Sequence, residues 1–159
     1  MNGTVLIKIL KQNKNTRNIF QGFSTPDVPL PNIKKFPALI ILNSDTSTGP
    51  GEHWCVIYIK NKNICEFFDP YGISPNYYNF TKQLLKISNS IIFNTYPIQG
   101  IAPTCGHHCV LFSIYRCKGY SAKFILNNLY DKNDLQANDM LAYNYILKNY
   151  GPAYAKFVE

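Results

Sequence analysis

Long apolar runs are missing from this chain. The longest, such as Ala38 to Leu42 and Val110 to Phe112, fall far short of the roughly 20 residues a bilayer-spanning helix needs, so no membrane span is expected. A basic segment ahead of an apolar stretch is missing from the first ten residues, and Lys8 and Lys11 interrupt what apolar character there is. A secretory signal is therefore not expected, and the chain reads as not secreted. Carboxylates are scarce, nine Asp and Glu against 16 Lys and Arg, which leaves a formal charge of +7. That charge is compatible with an acidic partner such as nucleic acid and is silent about fold. Paired cysteines are missing too: five is an odd number, which argues against a disulfide-stapled module, and no second pair stands at finger-like spacing. The run Cys105-Gly106-His107-His108-Cys109 packs its donors too tightly for tetrahedral zinc, so no metal is expected.

What the chain does have is apolar material. Hydrophobic residues make up 46% against 16% charged, with 12 Tyr and 10 Phe, enough to offset the entropy of ordering and to exclude a disordered tail. A length of 159 residues suits a single domain over 1–159. Thr4 to Leu10 reads as a short amphipathic helix, Gln21 to Lys35 with Gly22, Pro26, Pro29 and Pro31 as extended loop, and Pro37 to Leu42 as a buried strand. Trp54 to Ile59 and Ile64 to Phe68 are β-rich runs joined by the polar Lys60 to Asn63, the pattern of an antiparallel hairpin with two apolar faces. Pro75 to Ile87 has mixed helical character and Ile91 to Tyr96 is a further strand. Cys105 to Cys117 reads as a buried helix with Thr104 as its cap, and Asp134 to Tyr150 as a second long helix ended by Gly151-Pro152, with Leu135, Met140, Leu141, Tyr145 and Leu147 for its inner side. The expected class is α+β, a small central mixed sheet packed by helices.

The chemistry concentrates at Cys105. A helix N-terminus offers free backbone N–H groups and partial positive charge, which stabilise a thiolate and can receive an oxyanion. A nucleophile there needs a base, and only His53, His107 and His108 exist. His107 and His108 follow Cys105 at two and three residues on the same helix, poor geometry for an in-line hydrogen bond. His53 enters one hairpin strand where Asp69 leaves the other, so register alone sets the two at one end of the sheet, and Asp69 can orient the imidazole. Gln99, six residues before Cys105, carries an amide that can donate to the developing oxyanion beside the Cys105 backbone N–H. Cys55, Cys65, Cys109 and Cys117 fall on apolar faces and read as core packing.

The segments Gly51-Glu52-His53-Trp54, Phe68-Asp69-Pro70-Tyr71-Gly72, Ile98-Gln99-Gly100 and Cys105-Gly106, in that order, resemble the adenovirus-type cysteine proteases, also found in Polinton elements and virophages. The order His, Asp, Gln, Cys is shared with the ubiquitin-like-protein proteases of the same clan, whose folds are papain-like with a circularly rearranged order of catalytic residues. The resemblance covers roughly residues 19 to 117. It implies a Cys105 nucleophile, a His53 base, an Asp69 orienting acid, a Gln99 oxyanion donor and a Trp54 that flanks the base and shapes the peptide cleft. It further implies capsid precursors as substrates, small Gly-containing cleavage sites, DNA or a peptide as activator, and a place in the virion and the infected cell, in cytoplasm or nucleus. Ser88 aligns where the adenovirus enzymes carry a cysteine that bonds their activating peptide. The acid is Asp where those enzymes have Glu. A monomer without a resident cofactor is expected. Two other readings of the same residues are a ubiquitin-like-protein isopeptidase and a non-enzymatic basic module that binds nucleic acid through surface lysines such as Lys34, Lys35, Lys60, Lys62, Lys82 and Lys86.

Overall fold

The computed structural model describes residues 1–157. Helix α1 (Gly3–Gln12) starts on Asn2, whose side chain accepts the Val5 N–H at 2.9 Å, and leads to strand β1 (Phe20–Ser24) and strand β2 (Ala38–Asn43). The hairpin β3 (Trp54–Ile59) and β4 (Ile64–Phe68) follows, then the short helix α2 (Thr81–Leu85) and strand β5 (Ser90–Phe93). The chain closes with helices α3 (Cys105–Cys117), α4 (Ala122–Asn128), α5 (Leu135–Tyr150) and α6 (Pro152–Ala155). The five strands form one sheet in chain order. The β1–β2 and β4–β5 pairs are parallel and the two central pairs antiparallel, so the fold is α+β around a mixed sheet.

Period-two alternation splits the strands between two apolar layers. Leu39, Ile41, Val56, Tyr58 and Phe68 face a cluster that also takes Leu6, Ile9 and Leu10 of α1, Val110, Phe112 and Ile114 of α3, and Ala142 and Ile146 of α5. On the other face Ile40, Leu42, Cys55, Ile57 and Phe67 pack under Tyr78, Phe80 and Leu84. Because both faces are covered, β2 is a continuous apolar run with every residue buried. Phe68 stacks on Phe112 with ring centroids 4.1 Å apart, and burial of each such side chain contributes about 1.5–3 kcal/mol. At the far end of α3 the Arg116 guanidinium makes a forked pair with Glu66 of β4, Nε to Oε2 at 2.7 Å, and lies over the Tyr58 ring. That clamp lays α3 along the hairpin, so its first residue, Cys105, arrives where β3 begins.

Several sequence expectations need correction. Residues 20–24 are a strand and not loop. Gly22 sits in the left-handed region beside a bulge, and the strand is a half-buried edge, so its glycine and Gln21 mask the β pattern. The helical part of Pro75 to Ile87 is only the five residues of α2, and β5 ends at Phe93. Helix α4 has no counterpart in the sequence reading. In α5 the inward face is Asn138, Asp139, Ala142 and Ile146, while Met140, Leu141 and Leu147 are exposed. The helix turns a polar pair, and not its largest apolar residues, toward the protein. No helix among the described residues is long and apolar enough to cross a membrane.

Candidate active site

His53 precedes β3 by one residue and Asp69 follows β4 by one, and the pairing of Val56 with Phe68 carries them to the same end of the sheet. His53 Nε2 and Asp69 Oδ1 are 2.5 Å apart and both residues are buried. The same Oδ1 accepts the Tyr71 N–H at 2.9 Å, and Oδ2 accepts the Ile73 N–H at 3.0 Å and the Tyr78 hydroxyl at 2.9 Å. Asn94 holds the backbone beneath, accepting the Asp69 N–H at 3.0 Å and donating Nδ2 to its carbonyl at 2.6 Å. Asp69 is thus an Asx-type turn former and the orienting partner of His53 at once. Gly72 closes this turn at φ +70°, with its N–H on the Asp69 carbonyl, where a Cβ would run into the Tyr96 backbone.

Cys105 opens α3, half-buried, at the end of the sheet where His53 and Trp54 stand, and the His53 imidazole and the Trp54 backbone N–H both act on its thiol. Burial pushes the thiol up, but the His53 hydrogen bond and charge, with the Trp54 N–H, outweigh it and hold Cys105 below the ordinary thiol value. On His53 burial acts downward, and the hydrogen bonds to Asp69 and Cys105 and their charges overturn it, raising the imidazole to about 9. Both shifts favour a thiolate facing an imidazolium. The other thiols run the opposite way: burial raises Cys55 and Cys109 well above the ordinary value and takes Cys65 and Cys117 to about 12. For the rate of any Cys105-dependent hydrolysis, the sign follows directly. Activity rises with pH as the depressed thiol ionises, and falls again through about pH 9 as His53 loses the proton a leaving amine needs, so a bell-shaped profile with its alkaline limb near 9 is expected.

Gln99 reaches this end of the fold because Ile98 and Gln99 both donate their N–H to the Pro70 carbonyl, at 2.9 and 3.0 Å. Its amide nitrogen donates to the Ala102 carbonyl at 2.8 Å and lies 3.4 Å from the Tyr71 hydroxyl, while its buried Oε1 has no partner among the described residues. In the sequence Tyr71 stands out only as part of the Phe68 to Gly72 run. In the structure its ring stacks on His53, with centroids 4.5 Å apart and planes 19° apart, an arrangement that favours the imidazolium. Trp54 is half-buried between Phe23, 6.5 Å away edge-on, and the α3 start. A Cβ on Gly106 would meet Trp54 Cδ1 at 3.4 Å and the Met1 Cβ at 3.0 Å, so glycine after Cys105 permits this close packing.

Thr104 stands at the N-cap of α3, but its hydroxyl does not cap the helix as expected; it donates to Asp139 at 2.7 Å. His107 and His108 are fully buried with other partners, His107 Nε2 at 2.7 Å from the Ala155 carbonyl and His108 Nε2 at 3.0 Å from Asp139. Burial lowers both imidazoles, His107 to about 4. Ser88 is buried and donates to the Asn61 carbonyl at 2.9 Å. Among the described residues one group of three possible metal donors lies together, His53, Cys55 and Asp69, within 4.8 Å. Its histidine and carboxylate are hydrogen-bonded to each other, and its thiol lies on the buried face of β3.

No protein-family model matches the chain, and no curated protein does. Among solved structures, the crystal structure of the ASFV pS273R protease is similar over 65% of this chain, at 21% identity and a TM-score of 0.41. The similar part spans 43% of that protein, less than half of its length.

Proposed function

We propose that this protein is a cysteine endopeptidase of the adenovirus type that matures capsid precursors of a virus or virus-like element, acting as a monomer in the virion and the infected cell. The observation that carries the reading is the buried His53–Asp69 hydrogen bond set beside Cys105 at the N-terminus of α3, with the imidazole acting on the thiol. The Cys105 thiolate attacks the peptide carbonyl carbon and forms a C–S bond, and the resulting oxyanion is received by the Cys105 backbone N–H and the Gln99 amide. His53 then gives its proton to the amine as the C–N bond breaks. Water, deprotonated by His53, attacks the thioester; the C–S bond breaks and the thiolate returns. Phe23 beside Trp54, and the exposed Tyr71 and Ile101, are apolar surface that an extended peptide could cover.

The test is to incubate the protein with the capsid proteins encoded beside it and map the new termini. New termini that need Cys105 support the proposal. Intact precursors, together with labelling of Cys105 by the C-terminal aldehyde of a ubiquitin-like protein, transfer the assignment to an isopeptidase.

Two surfaces are proposed for the activators that the resemblance implies. Lys11, Arg17, Lys34 and Lys35 are exposed around one groove of about 500 Å³, and this cluster of positive charge supports the reading that a DNA backbone binds there. DNA retention is expected to weaken with salt, and Lys34→Glu with Lys35→Glu should reduce the slope of log affinity against log salt by about 1.8, as for two lost phosphate contacts. An unchanged slope in a binding titration removes this groove from the account. The free edge of β5 exposes Ile92 and Phe93 beside an apolar pocket of about 300 Å³ lined by Phe67, Phe112 and Leu126, where an activating peptide would add.

A further inference from the structure

The loop between Gln99 and Cys105 carries no hydrophobic anchor. Ile101 at its tip is fully exposed, and yet the loop must hold both groups proposed to receive the oxyanion. Its support comes from α5, far along the chain. One carboxylate, Asp139, accepts the Gly100 N–H at 3.1 Å on either oxygen, the Ala102 N–H at 3.3 Å, the Thr104 hydroxyl at 2.7 Å and His108 Nε2 at 3.0 Å. The preceding Asn138 donates Nδ2 to the Ile98 carbonyl at 2.9 Å. Gly100 is what lets the carboxylate come so close, since a Cβ there would lie 2.8 Å from Asp139 Oδ2. His108 fits its role: burial keeps the ring neutral, so Nε2–H donates to the carboxylate while Nδ1 faces the Tyr130 hydroxyl at 3.4 Å. Asp139 in turn is held as a carboxylate against burial by the hydrogen bonds of His108, Thr104 and Gly100.

We propose that Asp139 is a positioning residue for hydrolysis: from α5 it fixes the Gly100–Thr104 loop, and through it the placement of the Gln99 amide and the Cys105 N–H around the oxyanion, without touching the reacting atoms. The inference rests on the peptidase reading. It separates two things a mutation can damage, the nucleophile, which is activated by His53 and Asp69, and the oxyanion donors, which are set by the loop.

The experiment measures hydrolysis of a Gly-Gly aminocoumarin amide and, separately, the rate at which iodoacetamide alkylates Cys105, a reaction that needs the thiolate and no oxyanion donor. Asp139→Asn is expected to lower kcat about 10²-fold, as for loss of an oxyanion donor, with KM and the alkylation rate within about twofold of wild type. Should Asp139→Asn not fold, Thr104→Val and Thr104→Ser carry the test: Val is expected to lose about tenfold in kcat, and Ser, which keeps the hydroxyl, to restore it. An active wild type whose variants keep kcat, or lose kcat and alkylation by the same factor, overturns this inference alone. A wild type inert toward the amide and with Cys105 inert toward iodoacetamide overturns the peptidase reading, and this inference with it.

Discussion

Cys105→Ala is expected to abolish peptide hydrolysis, a loss on the order of 10⁴ or more, because the bond-forming atom is removed and only binding and oxyanion donors remain. The substitution sits half-buried at a helix start and removes one sulfur, so melting should change little. Cys117→Ala is the matched control. Its thiol lies at the other end of the same helix, pushed up to about 12 by burial, and its loss should leave turnover within about twofold. Precursor cleavage followed by gel and by mass spectrometry of the new termini checks both variants. Continued processing by Cys105→Ala removes the nucleophile assigned here.

Asp69→Asn carries the second large effect. The carboxylate accepts from four groups at once, His53, the Tyr71 and Ile73 amides and the Tyr78 hydroxyl. An amide in its place has one acceptor and two donors, so it must turn an N–H against at least one of them. Hydrolysis is expected to fall about 10⁴-fold, the scale seen when the orienting acid of a triad becomes an amide. The alkaline limb of the rate profile should move down from about 9 toward the ordinary histidine value near 6.5, since the largest influence raising His53 is lost. Stability should drop as well, on the order of 2–3 kcal/mol, because hydrogen bonds to a buried charge are among the stronger ones. A variant that melts normally and retains the wild-type limb near 9 would show that something other than Asp69 holds the proton on His53.

The parts of this site legible in the sequence are those set by local geometry. A four-residue polar turn between two β-rich runs fixes the register that joins His53 to Asp69, and the apolar run after Cys105 fixes α3 to the residue. What was not legible depends on contacts between distant segments. Thr104 looks like a cap from its neighbours, but a better acceptor, Asp139, lies 35 residues on. The face of α5 is hidden for the same reason: ranking its residues by hydrophobicity selects Met140, Leu141 and Leu147, whereas its inward pair, Asn138 and Asp139, is polar because it meets the backbone of a loop and not a core. Strand β1 hid behind Gly22, an edge position where a bulge is tolerated. Tyr71 stood within a recognised motif, and only the folded turn places its ring on His53.

The proposed chemistry requires that Cys105, alone among the five cysteines, be a thiolate activated by His53. The direct measurement is the pH dependence of iodoacetamide alkylation at each cysteine of the native protein, followed by peptide mass spectrometry. Cys105 is expected to be modified first, at a rate that levels off at lower pH than an ordinary thiol's, whereas Cys55, Cys65, Cys109 and Cys117 stay unmodified until the protein unfolds, and His53→Ala is expected to move the Cys105 profile up toward that of an ordinary thiol. A Cys105 that reacts no faster than Cys117, or whose rate follows an ordinary thiol titration with and without His53, would contradict that requirement.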